Sequence, residues 1–192
     1  MTLIICLGIF VAGALILALV GVALYNRLVD LRNRGENAWA DIDVQLKRRY
    51  NLIPNLVETV KGYAGHEKET LENVTKARQQ AIEVTGDLEK MAQAENALTR
   101  TLRQLFAVAE AYPDLKANES FLDLQNQLSE TEDLLSQARR YYNAVVRDLN
   151  TAVEKVPTNI VAMLFNFNKR EYFEIEDAAA REVPKVDFDN KD

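Results

Sequence analysis

The chain is poor in the residues on which most catalytic sites are built. Among its 192 residues there is one cysteine (Cys6), one histidine (His66) and three serines (Ser120, Ser129, Ser136). A lone cysteine excludes an intramolecular disulfide and a cysteine metal cage. A di-metal site in a helical bundle needs a Glu-x-x-His pair on each of two helices. Here the residue three before His66 is Tyr63. The His66-Glu67 pair begins like a zinc-protease helix, but the position that needs the second histidine is Thr70. A Ser-His-Asp triad would require His66 to meet one of three serines placed on helices. No catalytic, metal-binding or cofactor-binding residue is therefore expected, and no enzymatic activity.

Charge is absent from the start of the chain. Leu3–Tyr25 holds only apolar residues and three glycines, so all 23 Lys and Arg and all 29 Asp and Glu follow Asn26. The net charge of −6 belongs to that later body. An acidic body argues against nucleic acid as a partner, because phosphate binding needs a concentrated basic surface. A helix crossing the hydrocarbon layer needs about 20 apolar residues, and residues 3–25 supply them. A cleaved signal peptide would want a basic stretch before a shorter core and a small-residue site after it. Met1 and Thr2 alone precede this core, and Ala12-Gly13-Ala14 lies in its middle. Bulky Ile5 before Cys6 argues against lipidation there. The expectation is an uncleaved single-pass anchor (1–25) contacting the bilayer through residues 3–25. Arg27, Arg32 and Arg34 follow the span, which by the positive-inside rule puts the body in the cytoplasm and the N terminus outside.

Glycine and proline are also sparse in the body, and between them apolar residues recur at steps of three and four. One seam runs Leu28, Leu31, Gly35, Ala38, Ile42, Leu46; a second Leu56, Val60, Tyr63, Leu71, Val74, Ala81. A third runs from Leu88 to Tyr112, and a fourth from Phe121 to Val156. No stretch shows the period of two that a half-buried strand requires. The fold class expected is all-α: the N-terminal transmembrane helix, then an antiparallel up-and-down four-helix bundle (26–157), then a C-terminal segment with a short helix and acidic tail (158–192). Breaks are expected at Asn51–Pro54, with Asn51 as cap. Others are expected at Gly86-Asp87, at Tyr112-Pro113-Asp114 with a capped start near Asn118, and at Pro157. An unbroken helix through Pro54 would leave half its seam without a partner of matching length, which favours a turn there.

Long runs of this sequence resemble one family. Tyr25-Asn26-Arg27-Leu28-Val29, Arg32-Asn33-Arg34 and Glu36 through Tyr50 carry the likeness, as do Leu52 through Lys61 and His66-Glu67 to Ala77-Arg78. Asn159-Ile160-Val161-Ala162, Tyr172-Phe173 and Pro184 through Phe188 extend it to the C terminus. On these residues the chain resembles the LemA family over nearly its whole length. It departs at Gly35, where an apolar side chain is expected, and at Asn166 and Asn168, where the family tends to have Gly and Lys or Pro. The resemblance implies a bacterial membrane-anchored helical bundle without an assigned activity, and a link to membrane protein quality control.

Two surfaces stand out. Trp39, the only tryptophan, lies beside Asn37, Asp41 and Asp43, and tryptophan is enriched at binding hot spots. This set is the candidate partner surface. If successive helices alternate in direction, the segment after Pro157 returns to the bilayer. It reads Ile160, Val161, Ala162, Met163, Leu164, Phe165, Phe167, then Lys169 and Arg170, the pattern of an interfacial element. The basic run Lys47-Arg48-Arg49 starts about 33 Å beyond the span on a straight helix, outside the Debye length, so it does not reach lipid. Glu67 and Glu95 fall on seam positions, with Arg49 and Arg78 as partners in reach. The expected function is a noncatalytic scaffold or adaptor that recruits an unidentified protein partner at the membrane. The alternative is a membrane-shaping or envelope-organising protein acting as a homo-oligomer.

Overall fold

A computed structural model describes residues 1–174. Among these residues every regular element is helical: α1 Thr2–Tyr63, α2 Lys68–Glu83, α3 Leu88–Ala109, α4 Pro113–Lys116, α5 Glu119–Glu154 and α6 Thr158–Leu164. The all-helical class holds. α1 is long and apolar enough near its start to cross a membrane, and its most apolar window is wholly unburied.

The turn expected at Asn51–Pro54 does not form. α1 continues through Pro54 to Tyr63, and the chain reverses at residues 64–67. The reason lies in one carbonyl. Proline has no N–H, so the carbonyl four residues before Pro54, that of Tyr50, loses its helical donor. Arg78 on α2 supplies the missing donor, its Nε lying 2.7 Å from the Tyr50 oxygen. Reversal falls instead where two glycines weaken the helix by about 1 kcal/mol each. Gly65 sits in that turn, where an added Cβ would come within 3.1 Å of the Lys61 carbonyl oxygen. The Glu67 amide closes the turn onto the Ala64 carbonyl oxygen at 3.0 Å.

The other breaks fall where their chemistry places them. Gly86 adopts φ +80, and Asp87 then caps α3 by accepting from the Lys90 amide at 3.0 Å. Asn118 caps α5 by accepting from the Phe121 amide at 3.0 Å. Pro157 follows the end of α5 and starts α6.

By contacts the chain forms two units, Met1–Arg49 with Ser129–Tyr172, and Tyr50–Leu128 with the segment from Phe173. In the first, α1 pairs with α5 and with α6. Leu28, Ala38, Ile42 and Leu46 are buried from α1, and Leu135, Tyr142, Val145, Val146 and Leu149 from α5. Each fully buried leucine or isoleucine contributes about 1.5–3 kcal/mol. Arg49, itself buried, pairs with Glu132 at 3.3 Å, and Arg48 with Glu130 at 2.8 Å. In the second unit, the last turns of α1 (Ile53, Leu56, Val60) pack with Leu71, Val74, Ala77 and Ala81 of α2. Leu98, Leu102 and Leu105 of α3 and Phe121 and Leu128 of α5 complete that core.

Candidate functional site

The C-terminal segment of the first unit closes against α1 just after the apolar span. α6 ends in a Schellman turn, in which a left-handed residue lets the chain reverse and hydrogen-bond back to the last helical turn. Asn166 takes the left-handed position with φ 54, and the Phe167 amide returns to the Ala162 carbonyl oxygen at 2.9 Å. Asparagine tolerates this conformation better than other residues with a Cβ, so it can serve here in place of glycine. The turn aims Phe167 inward. Its ring meets Tyr25 at 5.8 Å in an edge arrangement, and the Arg32 guanidinium lies 5.3 Å from its centre. Phe165 lies 4.7 Å from Tyr25, centre to centre. Leu28, Leu149, Ala152, Val161, Ala162 and Phe167 form one cluster here, with Leu24, Val29 and Leu31 packed on it.

The candidate interfacial residues therefore divide. Val161 and Phe167 are buried, whereas Ile160, Met163, Leu164 and Phe165 are exposed. Met163 and Leu164 are 71% and 72% exposed. Within α6, Ile160, Met163 and Leu164 fall at steps of three and one and so share one outward side of the helix. The two cations face the protein. Lys169 is paired with Glu154. Arg170 pairs with Glu36 at 2.9 Å, and Asn150 brackets its backbone, accepting from its amide and donating to its carbonyl at 2.9 Å each. The buried Gly35 leaves room for this guanidinium, since a Cβ there would lie 3.2 Å from Arg170 Nη1. The missing side chain in the α1 seam is thus filled by an arginine from the C-terminal segment.

The candidate partner surface also separates. Asn37 and Asp41, four residues apart, lie on one flank of the buried Ala38–Ile42 seam, and Trp39 and Asp43 lie on the other. Asn37 and Asp41 are exposed. Trp39 is half-buried with its ring 5.5 Å from that of Tyr142, edge-on. Asp43 is paired with Lys47 at 2.5 Å. Burial raises the Tyr142 hydroxyl above its usual range, and that hydroxyl donates to the Glu171 carbonyl oxygen at 3.1 Å.

In the second unit, tyrosines serve both seam glutamates. Glu95 is buried and accepts from the Tyr50 hydroxyl. Glu67 accepts from Tyr112 at 3.2 Å. Burial first, and Glu67 second, raise the Tyr112 hydroxyl. Arginines were the partners expected for these acids, and a tyrosine hydroxyl meets each of them as well. The signal for Tyr50 was position, four residues before Pro54 and beside a seam. His66 is exposed in the turn between α1 and α2. Among the described residues no group of three or more His, Cys, Asp and Glu side chains is placed to hold a metal ion. Of the acidic tail, residues 175–192, Phe188 among them, lie outside the described part, while Phe173 is fully buried.

The sequence profile of the LemA family matches residues 38–188. Protein LemA of Metamycoplasma hominis is 26% identical over 167 residues, covering 87% of this chain and 74% of that protein. Magnetosome protein MamQ 2 of Paramagnetospirillum magneticum is 24% identical over 175 residues, covering 78% of this chain and 64% of its own length. Magnetosome protein MamQ of Magnetospirillum gryphiswaldense is 22% identical, with the same coverage. The chain thus spans about two thirds of the length of these magnetosome proteins.

Proposed function

This chain belongs to the LemA family, and on that premise we propose that it is a membrane-anchored, noncatalytic scaffold that recruits a protein partner at the inner face of a bacterial membrane. One observation carries the reading. The apolar segment and the body share one unbroken helix, so the surfaces of the first unit are held at a set height and rotation from the lipid. A reaction in solution gains nothing from such coupling, whereas a docking surface gains a fixed address. Relatives named for different settings, protein LemA in one organism and magnetosome protein in others, fit a scaffold whose partner changes. The setting proposed for this chain is membrane protein quality control. Arg27, Arg32 and Arg34 after the span support a cytoplasmic body.

The flank carrying Trp39 and Asp43 is the surface proposed for the partner, because it combines an aromatic ring with a carboxylate. A photo-crosslinking residue at Asp43, compared with one at Asp41 on the other flank, tests this in native membranes. A heterologous adduct from position 43 and none from 41 is expected. A homo-oligomer ladder from position 43 would instead favour self-assembly and membrane shaping. Absence of adducts from both positions, at normal protein abundance, removes the scaffold reading.

A further inference from the structure

α6 is apolar on both sides. Its inner side, Val161 and Ala162, is consumed by the core, and its outer side presents Ile160, Met163 and Leu164 with Phe165 following. Three large apolar side chains on so short an element, and a fourth just after it, are unusual for a surface facing water, and they mark a contact with something apolar. Position identifies the occupant. The α1 residues clustered with α6 run from Leu24 to Leu31, and Phe165 lies against Tyr25, the last residue of the apolar span. At 1.5 Å per residue, α6 therefore lies within about 9 Å of the end of the span, at the level of the headgroup layer in which interfacial helices lie.

We propose that α6 is an interfacial element whose outer stripe, Ile160, Met163, Leu164 and Phe165, inserts into the lipid surface beside the span. Its attachment to the bilayer is hydrophobic. The flanking Lys169 and Arg170 are engaged by Glu154 and Glu36 and are not aimed at lipid headgroups. The chain would then meet the membrane at two places, the span itself and a wedge in one leaflet. The wedge also opposes tilt of α1 toward that side, because tilting would either drive Met163 and Leu164 deeper or pull them into water. This inference rests on anchoring through residues 3–25 and not on the recruitment of a partner.

The test uses the full chain in phosphatidylcholine vesicles, with Cys6→Ser as background. Met163→Cys, Leu164→Cys and Leu17→Cys variants, and Glu130→Cys as a water-exposed control, carry a polarity-sensitive fluorophore. Lipids bearing a nitroxide near the head of the acyl chain act as quencher. Expected are a blue shift and loss of emission at positions 163 and 164, none at 130, and no dependence on adding phosphatidylglycerol or salt. Water-like, unquenched emission at both 163 and 164, with position 17 quenched, overturns the wedge while leaving the anchor. Unquenched emission at 17 overturns both. A blue shift at 163 without lipid quenching, together with disulfide-linked dimers of unlabelled Met163→Cys, overturns it in favour of a second copy of the chain.

Discussion

Arg78 does for the Tyr50 carbonyl what the residue at Pro54 cannot. Removing it by Arg78→Met leaves a carbonyl without its donor and costs about 1–3 kcal/mol. Pro54→Ala restores a backbone donor to the same oxygen, so Arg78→Met in that background costs clearly less. A double-mutant cycle on thermal unfolding in detergent reads the difference, and strict additivity would refute the pairing. Tyr50→Phe takes a hydroxyl from the buried Glu95 and is expected to cost a similar about 1–3 kcal/mol. Tyr142 supplies a pH prediction. Its burial favours the neutral phenol, so its pKa is higher in the folded chain than in the unfolded one, where it is near 10.0. The stabilisation is fully present below that pH and is lost as pH rises through the folded value. Alkaline titration of the helical signal should show stability falling above about pH 10, more shallowly in Tyr142→Phe. Equal slopes for the two proteins would show that Tyr142 does not contribute.

At the scale of elements, the C terminus of α6 depends on one backbone conformation. Asn166→Gly preserves the left-handed turn, while Asn166→Val forces a branched side chain into it and should cost about 1–2 kcal/mol. Thermal midpoints of the two variants test this, and equal midpoints would mean that the turn does not hold α6. The helical content, the apolar span, the caps at Asp87 and Asn118 and the stop at Pro157 were all readable from periodicity and capping chemistry. The continuity of α1 was not. Its seam passes through Arg49, a charge that reads as an interruption until Glu132 is brought beside it, and then through Pro54, whose cost is met by a residue 24 positions away. α5, at 36 residues, supplies the long partner that an unbroken α1 requires. The division of Asn37, Trp39, Asp41 and Asp43 between two flanks was readable from helical geometry alone.

For the molecule as a whole, the span and the body meet at a narrow boundary. The apolar window of α1 is unburied, and packing begins at Leu24 and Tyr25. Replacing residues 3–23 with an unrelated Leu/Ala sequence of equal length should leave the thermal stability of the body unchanged. Tyr25→Ala, by contrast, removes the ring that Phe165 and Phe167 share, at a cost of about 1–2 kcal/mol for a half-buried aromatic. If the span replacement destabilised the body as much as Tyr25→Ala, the anchor would have to take part in packing.

The sequence alone determined the helical class, the apolar segment long enough to cross a membrane and the lack of a histidine or cysteine set fit for metal or nucleophilic chemistry. These follow from composition and from the period of the apolar residues, which any helix of this chain must express. Tertiary structure decided where the chain reverses and which way the residues after Pro157 face. Both depend on partners distant in sequence: Arg78 for Pro54, Glu132 for Arg49, and Tyr25 for Phe165 and Phe167. A local pattern cannot register a donor or a ring that only folding brings within reach.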